Sequence, residues 1–205
     1  MINLPIDLNS FGFVQREKNN GSIVKNKCGR DFLYYVLHYL LPTRFNANFN
    51  NPEQIESRRL FGFSVPPSYF SWTQLQFYNL PVFLKENNLI LKINKRVIYS
   101  FLDFISAILF SRISYNEAIN IIETNIKNGK VIGIDIGLKF YGLMDHVMFV
   151  YGFDEEYLYV FDTHKVPYLE YEKTTNDARY IMKLSRIEAK KRWTRFGRVW
   201  EIINV

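Results

Sequence analysis

"DHVMFVYGFDEEYLYVFDTH", residues 145–164, decides how the chain reads. Its two halves are rich in β-branched and aromatic residues and meet at the acidic run Asp154-Glu155-Glu156, the pattern of two strands joined by a tight turn. If those three acids form the loop, Phe153 faces Tyr157 and the same register sets His146 opposite His164. Asp162 then shares their face. Diagonal neighbours across an antiparallel pair lie about 7–8 Å apart between backbones, within reach of a carboxylate–imidazole hydrogen bond that sets the ring's tautomer. The stretch therefore offers a base and a group to orient it. A slip of one residue would turn Asp162 to the opposite face, so the reading rests on the turn.

Outward from this hairpin the texture divides. "KVIGIDIG" (130–137) and the terminal "VWEIINV" (199–205) continue the sheet character. The preceding half reads mostly as helix: "SWTQLQFYNLPVFLKENN" (71–88), "RVIYSFLDFISAILFSR" (96–112), and "SYNEAINIIETNIKNGK" (114–130), which opens on a Ser114/Glu117 capping box and closes at Gly129. "RFNANFNNPEQ" (44–54) is the best loop, and "SRIEAKKRWTRF" (185–196) a late helix. Neither a repeat nor a Pro/Gly/Ser linker divides the chain. Its 205 residues predict a single α+β domain over 1–205, with a helical lobe at about 28–128 and a sheet lobe at about 130–205.

The lone cysteine stands in "NKCGRDFLYYVLHYLLP" (26–42). From Asp31 to Leu41 this segment has no Gly or Pro and is apolar on nearly every face, which predicts a buried helix with Cys28 at its N-terminus. Unpaired backbone N–H groups and the positive end of the helix dipole favour thiolate over thiol there. That environment suits a nucleophile, while a lone cysteine is more often a small apolar filler, so its role rests on the partners around it. Three histidines could serve it: His38, His146 and His164. His38 lies ten residues along the same helix, about 15 Å away, and reads as a packed or rim residue. His146 and His164 both flank the hairpin and share a face with Asp162, so either can be the base.

Composition narrows the classes. One cysteine makes no internal disulfide, and the first residues lack the pattern of a signal peptide, which predicts a reducing, cytoplasmic setting. The apolar runs around His38 and Asp103 fall short of the ~20 residues of a membrane helix, so no membrane span is expected. With 26 Lys and Arg against 20 Asp and Glu, the charge of +6 does not demand a polyanion. The basic stretch "KLSRIEAKKRWTRFGR" (183–198) reads as a solvated helix face with Trp193 docked inward, and no nucleic-acid partner is expected. Without HExxH, CxxC or a phosphate-binding glycine loop, neither metal nor cofactor is expected.

"KCGRDFLYYVLHYL", "DHVMFVYGFDEEYLYVFDTH" and "RIEAKKRW" together resemble the papain-like cysteine peptidases of the bacteriocin-processing (double-glycine leader) type. The likeness lies in order and spacing: Cys28-Gly29 opening a helix, His146 starting a strand that runs into Gly152-Phe153-Asp154, and Asp162 sixteen residues after His146. A second resemblance, around "LFGFSVPPSYFSW" (60–72) and the segment 146–173, is to the N-terminal acyltransferase domain of butirosin biosynthesis protein H. These likenesses imply a papain-like fold, in which a central Cys-bearing helix from a helical N-terminal half packs on an antiparallel sheet from the C-terminal half. They also imply a Cys28–His146–Asp162 triad working through a thioester acyl-enzyme. Water as acceptor makes a peptidase or amidase, and an amine makes an acyltransferase whose acyl-thioester donor could ride on a carrier protein. A catalytically silent binding domain is the third possibility. The family's oxyanion glutamine, a few residues before the cysteine, is not matched: Gln15 is the candidate, with Asn20 and Asn26 behind it. Gly29 and Trp72 are candidates for the substrate cleft.

Overall fold

Alternating apolar residues in strands far apart in the sequence build one large antiparallel sheet. The computed structural model describes residues 1–6, 18–19, 22–23, 28–43, 59–60, 63–64, 80–139, 144–162, 171–173, 181–193 and 197–205. Within them the chain is α+β, with five helices: α1 (Cys28–Leu40), α2 (Leu80–Glu86), α3 (Phe101–Phe110), α4 (Tyr115–Lys127) and α5 (Arg186–Arg192). The strands are β1 (Ile2–Asn3), β2 (Lys18–Asn19), β3 (Ser22–Ile23), β4 (Arg59–Leu60), β5 (Phe63–Ser64), β6 (Leu89–Ile93), β7 (Arg96–Ile98), β8 (Ile132–Lys139), β9 (Met144–Phe153), β10 (Tyr157–Phe161), β11 (Tyr171–Lys173), β12 (Ile181–Ser185) and β13 (Arg198–Asn204). Nine strands share the main sheet, in the order β11-β12-β10-β9-β8-β13-β6-β7, with β1 also paired to β9. Each of its pairings is antiparallel. Two small ladders, β2–β3 and β4–β5, stand apart from it.

The sheet is not supplied by the C-terminal half alone, which corrects the predicted segregation of helices and strands. Residues 96–98, expected to begin a helix, form β7, and β6 lies beside β13 within the stretch expected to be a helical lobe. Leu89, Leu91 and Ile93 are buried while Ile90 and Lys92 are half-buried, the period of two that a strand requires. Asn94 and Lys95 both have positive φ, 48° and 70°, which closes a two-residue hairpin of the primed type. Asn94 then ties the turn down: its Nδ2 donates to the Ser111 carbonyl at 2.8 Å and its Oδ1 accepts from Val199 N at 2.8 Å.

Helices cover both faces. Trp200 and Glu201 are consecutive on β13 and point to opposite sides. The Trp200 ring meets Phe32 of α1 edge-on at 6.1 Å and Phe104 of α3 at 5.6 Å, whereas Glu201 accepts from Asn125 of α4 at 3.0 Å. Gly133, paired with Trp200, makes the close approach of α1 possible: a Cβ there would stand 2.5 Å from the Phe32 ring. Phe32, Leu33, Tyr35, Val36 and Leu37 are buried, each worth about 1.5–3 kcal/mol against exposure. Helix α4 starts at the expected cap, with Ser114 accepting from Glu117 N at 3.2 Å, and Gly129 follows its end at φ 69°.

Candidate active site

Cys28 is the first residue of α1 and is half-buried, with Gly29 fully buried behind it. At this position the first backbone N–H groups of the helix have no intrahelical acceptor, so the thiol sits beside donors that the helix itself does not use. His146 lies near the start of β9 and Asp162 directly after β10, each 3% exposed. His146 Nε2 is 2.9 Å from Asp162 Oδ1, and the Cys28 side chain is also a hydrogen-bond partner of the imidazole. With Nε2 turned to the carboxylate, Nδ1 is the ring nitrogen that serves the sulfur. Three side chains, from the start of a helix, a strand and the residue after a second strand, thus meet in the order thiol, imidazole, carboxylate.

The hairpin reaches this arrangement by a path that differs from the predicted one. Phe153 pairs with Leu158 rather than Tyr157, because Asp154 through Tyr157 form a four-residue loop. Asp154 builds it: Oδ1 accepts from Glu156 N at 2.9 Å and Tyr157 N at 2.8 Å, and Oδ2 accepts from the Tyr159 hydroxyl. That register, carried along the strands, would place Asp162 across from Phe149 and away from His146. A bulge intervenes. The pairing moves from Tyr159↔Gly152 to Val160↔Val150, so Tyr151 is the extra residue on β9. Past the bulge the register sets Asp162 across from Met148, two residues from His146 on the same face. At the bulged end Gly152 lets β1 in, since a Cβ there would stand 2.9 Å from the Ile2 carbonyl and nearer still to the Asn3 side chain.

Aromatic packing holds the helix to the strand that ends in the carboxylate. Tyr35 of α1 stacks on Phe161 at 5.1 Å and 28°, and Phe149 and Tyr151 also pack on Phe161, at 6.0 and 5.0 Å. Phe161 immediately precedes Asp162, so the same contacts fix the distance between the Cys28 helix and the acid.

Charge at the site follows from this burial. Burial alone pushes the His146 imidazolium to deprotonate, but the Asp162 charge and hydrogen bond, reinforced by Cys28, outweigh it and hold the imidazole well above its ordinary 6.5. A protonated imidazole beside the sulfur is the partner a thiolate needs.

The other predicted positions separate cleanly. His38 is half-buried in the last turn of α1, at the far end from Cys28. Gln15, Asn20, Asn26, Trp72 and His164 lie outside the described residues. Trp193 packs inward as expected: its Nε1 donates to the Ile113 carbonyl at 3.1 Å and its ring meets Tyr115 edge-on at 6.0 Å. Asp154, expected as the first of the three acids of the loop and as part of the Gly-Phe-Asp segment, is also the loop's keystone, its carboxylate followed by N–H groups that seek an acceptor. No protein-family model, curated protein or solved structure matches the chain.

Proposed function

We propose that the chain is a papain-like cysteine peptidase or amidase with Cys28 as nucleophile, His146 as general base and then acid, and Asp162 as the residue that orients the imidazole. The observation that carries this reading is the buried His146–Asp162 pair at 2.9 Å with Cys28 at the start of α1 as the third partner. The Cys28 proton passes to His146, and the sulfur attacks the substrate carbonyl carbon. The negative charge on the carbonyl oxygen is met by the N–H groups of the first helical turn, which supply part of what the unmatched glutamine would. Collapse of the tetrahedral species breaks the C–N bond, His146 returns its proton to the departing amine, and a thioester remains on Cys28. Water, deprotonated by His146, then releases the acid and restores the thiol.

The test is intact-mass measurement after exposure to candidate peptides, amides and acyl thioesters, followed by mapping of any added mass. The expected result is an acyl adduct on Cys28 that forms in the native protein, is absent from Cys28→Ala, and disappears on standing in water. An adduct that persists in water and leaves only to an added amine moves the assignment to acyl transfer. Absence of any adduct from a folded sample overturns the enzymatic reading.

A further inference from the structure

Helix α3 carries apolar side chains toward solvent as well as toward the core. Phe104, Ala107 and Ile108 are buried in the core, yet Leu102 is 78% exposed, Leu109 51% and Phe110 74%. At about 100° per residue these three fall within a third of the helix circumference, with half-buried Ser106 between them and half-buried Ile105 at the edge. Tyr99, 71% exposed, extends the stripe beyond the N-cap Ser100. A surface helix ordinarily carries polar side chains where these stand, and large apolar side chains grouped on one exposed face mark an interaction surface.

Cations close one end of the stripe. The Asn94–Ser111 hydrogen bond brings the β6–β7 turn to the C-terminus of α3, so exposed Arg96, which follows that turn, and exposed Arg112, two residues past Phe110, lie at this end of the helix. Lys95 in the same turn is paired with Glu117. The acid on the helix, Asp103, is engaged at the other end, where it accepts from Ser100 Oγ at 2.9 Å and Tyr99 N at 3.3 Å. An anionic bilayer surface satisfies both halves of this pattern at once. Acyl chains take Leu102, Leu109 and Phe110, headgroups take Arg96 and Arg112, and the net charge of +6 adds long-range attraction.

We propose that α3 is a membrane-surface helix that docks the protein on an anionic lipid bilayer. The mode is peripheral. Among the described residues no helix is long and apolar enough to cross a membrane, and α3 has ten residues.

Co-sedimentation tests this with phosphatidylcholine vesicles, with and without phosphatidylglycerol. The protein should partition onto the anionic vesicles and not onto the neutral ones. Leu102→Ser with Phe110→Ser, and separately Arg96→Gln with Arg112→Gln, should each lower that partition by about tenfold or more. All four side chains are exposed, so both double variants should keep the urea midpoint of the native chain. Failure of the native protein to sediment with anionic vesicles, or equal sedimentation of both variants, overturns the proposal. So does a concentration-dependent dimer in analytical ultracentrifugation that Leu102→Ser with Phe110→Ser abolishes while lipid binding is absent, since that assigns the stripe to a second copy.

Discussion

Two buried ion pairs cross this sheet. His146–Asp162 links β9 to the end of β10, and Arg198–Asp135 links β13 to β8; each pair is 2.9 Å apart with side chains no more than 3% exposed. By distance and burial they are indistinguishable. What separates them is the proton. A guanidinium stays charged at any accessible pH, and Arg198 spends its reach on Asp135 and the Ile108 carbonyl, so that pair can only hold elements together. An imidazole can give up its proton, and His146 has Cys28 as its further partner. On the proposed function, the same buried geometry is scaffold in one place and chemistry in the other, because one cation is permanent and the other transferable.

The largest expected effect breaks the scaffold pair. Asp135→Ala leaves a guanidinium buried without its anion, which should cost about 3–5 kcal/mol in urea unfolding. Arg198→Met combined with Asp135→Leu should recover most of that loss, because it removes both charges from the interior. Turnover per folded molecule should stay within about twofold of native in the double variant. A collapse of turnover without loss of stability would place Arg198–Asp135 in the catalytic machinery and erase the distinction.

The second effect falls on the other pair. His146→Ala should lower turnover by at least about 10²-fold, the usual contribution of a positioned general base, and should slow alkylation of Cys28 by iodoacetamide at neutral pH. Asp162→Asn should lower the turnover number more than KM, since the residue acts on the imidazole and not on substrate. A native alkylation rate in His146→Ala would remove the imidazole from any role in activating the thiol.

How far these assignments were legible in the sequence depends on how local the determining interactions are. Helix α1 was readable because Asp31 to Leu40 has no Gly or Pro and is apolar on nearly every face, and α4 because Ser114 and Glu117 lie three residues apart. The hairpin was readable as a hairpin but not in its register. "DHVMFVYGF" alternates in the same way whether or not Tyr151 bulges, so a four-residue loop and a one-residue bulge went unseen. Their shifts cancel, and Asp162 meets His146 by a route the simple register did not contain. The β6–β7 hairpin was missed because its turn is Asn94-Lys95, without the glycine that usually announces a primed turn. Asp135 and Arg198 are 63 residues apart, and only the non-sequential neighbours β8 and β13 bring them together.

The smallest effect is the sharpest test of the comparison, because only one of the two pairs includes a cation able to release its proton. His146 binds its proton more tightly in the folded chain than at its ordinary 6.5. Its contribution to stability is therefore fully present below pH ~6.5 and is lost as pH rises through the raised folded value. Urea unfolding across this window should show stability falling with pH, at no more than about 1.4 kcal/mol per pH unit for a single proton. Asp162→Asn removes the anion that chiefly raises His146 and leaves burial, which acts in the opposite direction. In that variant the slope should vanish or reverse. Asp135→Asn should lower stability at every pH while leaving the slope between pH 6 and 9 unchanged, since Arg198 releases no proton there. A native-like slope in Asp162→Asn would mean that the carboxylate does not govern the imidazole's proton, and the two buried pairs would then both be scaffold.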